Sequence, residues 1–267
     1  MRVRVKYSKQ GLMRFIGHLD MMRYFQKACR RAGIDVVYTE GLSPHMSMSF
    51  ALPLGVGMTS DSEYVDVDLV QELSGREIVN RLNASVPEGI HFLDARQIPV
   101  GKAYKGMTLT ARADYTLRMK DGFYDSAGLP EKELAGSLHA CEPVQDGRNK
   151  EAPLIPWDPA WREAFGRWLE QSVIRVMKRG KKTEKEIDIR PLIYEARFEG
   201  EDLILGLSAG LDRNIRPELV MQAFADQTGR QFSPSLFAIN RDEVYADSGK
   251  GAQHDFKALI DLGEVIP

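Results

Sequence analysis

Arg2-Val3-Arg4-Val5-Lys6-Tyr7 alternates basic and apolar side chains, with Arg2, Arg4 and Lys6 on one face and Val3, Val5 and Tyr7 on the other. A period of two is that of a half-buried strand. Gly11 breaks it, and a helix is expected over about His18 to Ala32, where Leu19, Met22, Phe25 and Cys29 recur at three- and four-residue spacing. Gly33 is placed to stop that helix. Val36-Val37-Tyr38 begins a second strand, interrupted by the Gly41 to His45 loop and resumed at Met46 to Ala51. Tyr64 to Leu69 alternates again, with Val65, Val67 and Leu69 inward and Tyr64, Asp66 and Asp68 outward. Ser74 and Glu77 form a capping box ahead of the apolar Ile78, Val79 and Leu82. After Pro87-Glu88-Gly89, Ile90 to Ile98 reads as a fourth strand.

The order β-α-β-β-α-β over residues 1–100 is the ferredoxin-like arrangement. Its first and third strands are neighbours, which puts Arg2, Arg4 and Lys6 beside Asp66 and Asp68. Opposite charges across a strand pair stabilise a sheet by roughly 0.2–1 kcal/mol each. The basic first strand is therefore expected to be paired off internally.

A second unit follows a linker at 101–112. Ala113 to Met119 is strand-like, and residues 121–156 are long, polar and poorly periodic, an insertion. Asp158-Pro159 starts a helix carrying Trp161, Phe165, Trp168, Leu169 and Val173. Ile187 to Arg190, Leu192 to Phe198 and Leu203 to Ser208 are strand-like. Pro217 opens a helix closed by Gly229, and Phe237 to Tyr245 is the last strand. The expected fold class is α+β, two tandem ferredoxin-like domains with antiparallel sheets. The second spans 113–248, and a tail runs from 249 to 267.

Forty-three per cent hydrophobic and 28% charged residues describe an ordinary globular composition. No stretch approaches the roughly 18 apolar residues that span a bilayer, and Met-Arg-Val-Arg-Val lacks a signal-peptide core. A cytoplasmic protein without membrane association is expected. Two cysteines, Cys29 and Cys141, are too few for a disulfide framework, a Cys-rich zinc site or an unaided iron–sulfur cluster. Charge is uneven. Residues 1–60 hold nine Lys/Arg against three Asp/Glu, whereas the whole chain sums to −2, so the rest sums to −8. One basic end suits a polyanion.

Met13-Arg14-Phe15-Ile16-Gly17-His18-Leu19-Asp20, the helix end Arg30-Arg31-Ala32-Gly33, and Ser43-Pro44-His45 through Ser49-Phe50-Ala51-Leu52-Pro53-Leu54-Gly55 resemble a bacterial family of unknown function. Glu186-Ile187-Asp188-Ile189-Arg190-Pro191 resembles its second half. That family is radical-SAM-associated, encoded beside or fused to a B12-binding radical SAM protein. The resemblance implies a radical SAM partner, with RNA modification or ribosome-linked work as context. The three closely spaced cluster cysteines of that chemistry are absent from this sequence.

Arg23, Lys27, Arg30 and Arg31 fall at i, i+4, i+7 and i+8, so they share one helix face with no acidic residue interleaved. Such a row is either a solvated face or a set of phosphate contacts. His18 sits near the helix N-terminus, where the dipole favours a neutral imidazole. His45, after Pro44, is in a loop that could bring it towards His18. Converging histidines could cleave RNA without metal, and a metal site adding Asp20 matches no strong signature. Gly55-Val56-Gly57 reads as a plain turn. Lys181 and Lys182 belong to a basic run, 178–185, that is either a loop for RNA or a solvated helix end.

The expected function is non-catalytic RNA binding in the service of a radical SAM enzyme, with no cofactor and no metal. Arg23, Lys27, Arg30 and Arg31 would contact phosphates, while Arg14, His18 and His45 would line a more specific pocket. The alternatives are a metal-independent endoribonuclease using His18 and His45, and a protein–protein adaptor docking through its acidic second half.

Overall fold

The computed structural model describes residues 1–120, 154–179, 184–211, 213–230, 232–249 and 253–267. Most of the expected insertion, with Cys141, lies outside them, as do Lys181 and Lys182. In chain order the elements are β1 (Arg2–Lys9), α1 (His18–Arg31), β2 (Met48–Phe50), β3 (Thr59–Asp68), α2 (Gly75–Ala84), β4 (Ile90–Gln97) and the one-turn α3 (Gly106–Leu109). Next come β5 (Thr110–Lys120), β6 (Leu154–Ile155), α4 (Pro159–Leu169), β7 (Arg175–Arg179), β8 (Glu184–Asp188), β9 (Ile193–Glu199) and β10 (Asp202–Ser208). The last are α5 (Pro217–Thr228), β11 (Phe237–Asp247), β12 (Phe256–Ala258) and β13 (Glu264–Val265). The class is α+β, with a large, mostly antiparallel sheet. No helix among the described residues is long and apolar enough to cross a membrane.

The chain forms two compact units. The first comprises Met1–Thr116, Gly206–Asn214 and Ile239–Pro267, and the second Leu117–Leu205 and Ile215–Ala238. In the first, the strands lie in the order β13-β4-β1-β3-β11-β5, with β2 on β3 and β12 on β11. The β1–β3 register sets Arg2 opposite Asp68 and Arg4 opposite Asp66, as the alternation predicts. β3 and β11 run parallel, with Arg241 opposite Ser60. Phe256–Ala258 and Glu264–Val265, in the expected tail, pair with β11 and β4.

α1 covers one sheet face because its apolar residues recur on one side. Its buried residues are Met21, Phe25, Ala28 and Cys29, one row round from the expected Leu19–Met22 row. Phe25 meets Tyr7 at 4.7 Å, Phe50 at 5.3 Å and Phe92 at 5.4 Å between ring centroids. Burial pushes the Cys29 thiol up to about 11, so it behaves as a small hydrophobe. Gly33, at φ +62°, lets the chain turn back so that Ile34 N–H reaches Cys29 O at 3.0 Å, a glycine-closed helix end. Ser74 Oγ accepts from Glu77 N–H at 3.2 Å and starts α2. The expected strand over 36–51 is reduced to bridges at Val36 and Tyr38 plus the three residues of β2. Exposed Gly41 to His45 separate its parts.

The face read as outward is covered. Arg4 is 0% exposed, and Asp66 and Tyr64 are also buried. Arg4 donates to both oxygens of Asp66 at 2.8 and 3.2 Å, to Leu259 O at 2.9 Å and to Tyr104 O at 2.8 Å. Gly106 N–H donates to Asp66 at 2.7 Å. Lys6 pairs with Glu243, which also accepts from Tyr64 OH, at 2.7 and 2.6 Å. The alternation marks β1 as a strand correctly, but its charges are paired, the two arginines bidentately and Arg4 fully desolvated, and do not form a wet face.

At the half-buried end, Asp68 accepts from Arg2 at 2.6 and 2.8 Å and from the Ser47 hydroxyl at 2.5 Å. Burial pushes the Asp68 carboxyl up, but the hydrogen bonds from Arg2 and Ser47 outweigh it and leave the group below the usual carboxylate range. A depressed carboxyl stabilises the fold above its unfolded value of about 3.9, and this stabilisation is lost as pH falls through the folded value. Asp68→Asn is therefore expected to flatten the acid limb of the urea midpoint plotted against pH. An unchanged slope below about pH 4 would contradict that pairing.

The second unit packs α4 and α5 through aromatics. Trp161 is fully buried against Phe224 at 4.8 Å, and Trp168 Nε1 donates to Gln227 at 2.8 Å, which satisfies a polar atom that would otherwise cost stability. Asp158 caps α4 by accepting from Ala160 N–H at 2.7 Å, ahead of Pro159. Gly229 closes α5. β10 lies between β5 and β9. β7 and β8 form a separate antiparallel ribbon, with Arg175 opposite Asp188 and Lys178 opposite Lys185. The flanks of the 178–185 run are therefore strands and not a helix end, because α4 has already stopped at Leu169.

Candidate functional site

The N-terminal corner is held from below by ions. Lys9, only 3% exposed, donates from Nζ to Ile16 O at 2.8 Å. Burial lowers its proton affinity, Glu63 raises it, and Arg241 lowers it again. Glu63 and Arg241 are buried partners, with Arg241 Nε donating at 2.9 Å and a second donor of Arg241 reaching Leu52 O at 2.5 Å. This group fixes the junction from β1 into Gly11–Phe15, a 3-10 turn, and the loop after β2. Gln10 N–H donates to Gly89 O at 2.7 Å, and Gly57 N–H to Arg14 O at 2.9 Å. Gly89, at φ +96°, has no room for a Cβ, which would lie 2.8 Å from Met13 and 2.9 Å from Gln10 O.

On this base α1 presents Arg23, Lys27, Arg30 and Arg31, all exposed. Asp20 is on the same side and pairs with Arg23 at 3.3 Å, so the row is less purely basic than its spacing predicts. Arg30 donates to Tyr38 OH at 3.0 Å, and Arg31 to Ser85 O at 3.0 Å. Lys27 has no partner among the described residues. Arg14 lies with its guanidinium 4.7 Å from the Phe15 ring centroid.

His18 and His45 have different neighbours. His18 meets Phe50 edge-on at 5.3 Å, whereas His45 Nδ1 lies 3.1 Å from Thr39 Oγ1 and 3.2 Å from Ser43 O. The two rings share no contact. Among the described residues no three His, Cys, Asp or Glu side chains are grouped to hold a metal ion.

Two features escaped sequence reading. One is the Lys9–Glu63–Arg241 group, whose members are far apart in the chain. The other is apolar: Leu12, Phe15, Leu19 and Val56 are 68%, 53%, 64% and 65% exposed. Leu19 shares a face with Arg23, four residues on, and that spacing was the available signal. A third polar group, on the sheet, is a structural bridge. Asp242 accepts from Asn240 and Thr116, both at 2.7 Å, and Asn240 also donates to Asp61 at 2.8 Å, linking β11, β5 and β3. Burial pushes the Asp242 carboxyl up against those bonds.

Residues 2–217 match a family described as an uncharacterized protein conserved in bacteria (DUF2344). The chain belongs to this family. No curated protein matches it. Among solved structures, "Crystal Structure of a Cbf5-Nop10-Gar1 Complex" is similar at 10% identity and a TM-score of 0.42, covering 91% of this chain and 48% of that one. The DUF2344 chain thus spans about half the length of that structural match.

Proposed function

We propose that the chain is a non-catalytic RNA-binding accessory protein that works with a radical SAM enzyme, in RNA modification or a ribosome-linked process. The observation that carries the RNA reading is the exposed row Arg23, Lys27, Arg30 and Arg31, with Lys27 unpaired among the described residues. Cations on one helix face position a phosphate backbone without reading its sequence. The radical SAM partner rests on the resemblance of the Met13–Asp20, Arg30–Gly33, Ser43–Gly55 and Glu186–Pro191 strings. We also propose a tandem ferredoxin-like architecture, supported by the strand orders β4-β1-β3, with β2 on β3, and β11-β5-β10-β9.

Binding of oligo-uridylate by the intact chain should weaken steeply with salt. Replacing Arg23, Lys27, Arg30 and Arg31 together with glutamine should weaken it at least about tenfold at moderate salt. The same change should lower the log–log salt slope by up to about 3, some 0.7 per lost contact. Unchanged affinity and slope would end the RNA reading. The partner reading predicts co-purification with the neighbouring radical SAM protein after RNase treatment, and its failure there would remove that part alone.

A further inference from the structure

We propose that the groove between β7 and α5, in the second unit, takes an extended segment of a protein partner that adds to β7 as a further strand and carries a basic side chain. The groove is about 510 Å³, lined by Arg175, Val176 and Met177 of β7 and by Leu219, Ala223 and Asp226 of α5. β7 is paired on one side only, with β8 in a two-stranded ribbon. Two hydrogen bonds fix which of its main-chain groups face the groove. Ile174 O accepts from Ile189 N–H, just past β8, at 2.8 Å, whereas Arg175 O accepts from Gln227 Nε2 of α5 at 3.0 Å. Main-chain groups alternate sides along a strand, so Met177 N–H and O, two residues on, also point away from β8. Neither has a further partner among the described residues. Unpaired groups on a strand edge are a template for another strand.

The groove is built in advance, which lowers the ordering cost of binding. Ile174, at its root, is fully buried, and its N–H donates to Asp188 at 2.9 Å. Gln227, which holds Arg175 O, accepts in turn from Trp168 Nε1 of α4 at 2.8 Å. Side-chain selection comes from α5. Leu219 and Ala223 make an apolar stripe, and Asp226 lies about 7.5 Å along the helix from its midpoint. Alternate residues of a strand are roughly 6.7 Å apart. An apolar and a basic residue two apart on the added segment therefore meet the stripe and the carboxylate together. Asp226 is exposed and has one hydrogen bond, from Gln222 at 2.7 Å, and no cation among the described residues. It stands in the last turn of α5, where a carboxylate opposes the helix dipole and no Lys or Arg offsets it. Helix stability does not account for it. Arg175 is already paired with Glu186 at 3.3 Å, so the groove's uncompensated charge is negative.

Other occupants fit less well. The lining offers no aromatic ring for a nucleobase to stack on, and Asp226 repels a phosphate. A small apolar ligand would leave the main-chain groups of Met177 unmatched. In a second copy β7 is fronted by that copy's own α5, which would enter the groove before the strand did. This inference goes beyond RNA binding and does not depend on it.

The test is to pan the intact chain against a phage-displayed library of random peptides, with the D226K variant as counter-selection. Asp226 is exposed and works against its own helix, so D226K should melt no lower than the wild type. The expected result is enrichment of peptides with a large apolar residue and a Lys or Arg two places apart, bound at least about tenfold more weakly by the variant. Backbone N-methylation along such a peptide should abolish binding at alternate positions, the mark of a strand held through its main chain. That scan needs no change to the protein. No enrichment over the variant, enrichment of acidic peptides, or a methylation scan without alternation overturns the proposal. So does displacement of the bound peptide by oligo-uridylate, or self-association in sedimentation that D226K abolishes. Failure of the glutamine variant to lose RNA would instead strike the RNA reading and leave the groove intact, because its four residues are all on α1.

Discussion

Alanine in place of Glu63 is expected to lower the unfolding free energy by about 3–5 kcal/mol, read as a fall in the urea midpoint. Glu63 lies against Arg241 and within the field of Lys9, and all three are buried. Removing the carboxylate leaves two desolvated cations facing each other. An orphaned buried charge costs more than the intact pair contributes, since the desolvation of the survivor is no longer offset. The loss should also vary with pH. Lys9 already titrates below its ordinary value through burial, and the variant should lower it further. A lysine depressed in the folded state destabilises the fold at low pH. Stability then recovers as pH rises through the folded value towards the unfolded one. The variant should therefore gain more stability than the wild type between neutral and alkaline pH. A loss below about 1 kcal/mol with no such recovery would mean the group is open to water.

Asp66→Ala should cost a similar amount, about 3–5 kcal/mol, for a related reason and with a different signature. Arg4 has no exposed surface, and among the described residues Asp66 is its only anionic partner, in a set otherwise made of the carbonyls of Tyr104 and Leu259. Asp66 also receives Gly106 N–H. The substitution therefore frees three segments at once. Amide exchange should accelerate locally over 102–110 and 256–265 as well as globally. Combining Arg4→Met with Asp66→Leu should recover much of the loss, because an apolar pair in the same space carries no desolvation cost. Strict additivity of the two single changes would show that the side chains do not act as a unit.

The contrast between β1 and its cover shows how far the sequence could be read. Alternation from Arg2 to Tyr7 and the spacing of Phe25 and Cys29 mark strand and helix because their periods are local. What lies over Arg4 is not local. Leu259 and Tyr104 are 255 and 100 residues away, and they bind through backbone carbonyls that carry no sequence signature. Arg241 and Glu63, 178 residues apart, were unreadable for the same reason. Leu19 was misassigned because Met21 and Met22 are equally apolar, and only packing against Phe50 and Tyr7 fixes how the helix is rotated. The row of α1 cations was legible in its spacing, but the Asp20–Arg23 pair and the ties from Arg30 to Tyr38 and Arg31 to Ser85 depend on how the folded chain places those partners. His18 and His45 share a short stretch of chain, but their contacts differ: His18 meets Phe50, and His45 meets Thr39 and Ser43.

The hydrogen bond from Arg4 to Leu259 O has a consequence for the order of synthesis. Asp66 emerges from the ribosome soon after Arg4, so the ion pair can form while the chain is short. The carbonyl that completes it arrives 255 residues later, roughly ten to fifty seconds at ordinary elongation rates. Tyr104 O and Gly106 N–H reach the pair first, but for that interval the second face of β1 and β3 is only partly covered, and the first unit, whose chain leaves at Thr116 and returns at Gly206 and Ile239, is unfinished. A nascent chain stalled before residue 259 should therefore leave Arg4 more open to solvent, and this unit should become fully protease-resistant only after residue 259 has left the ribosome.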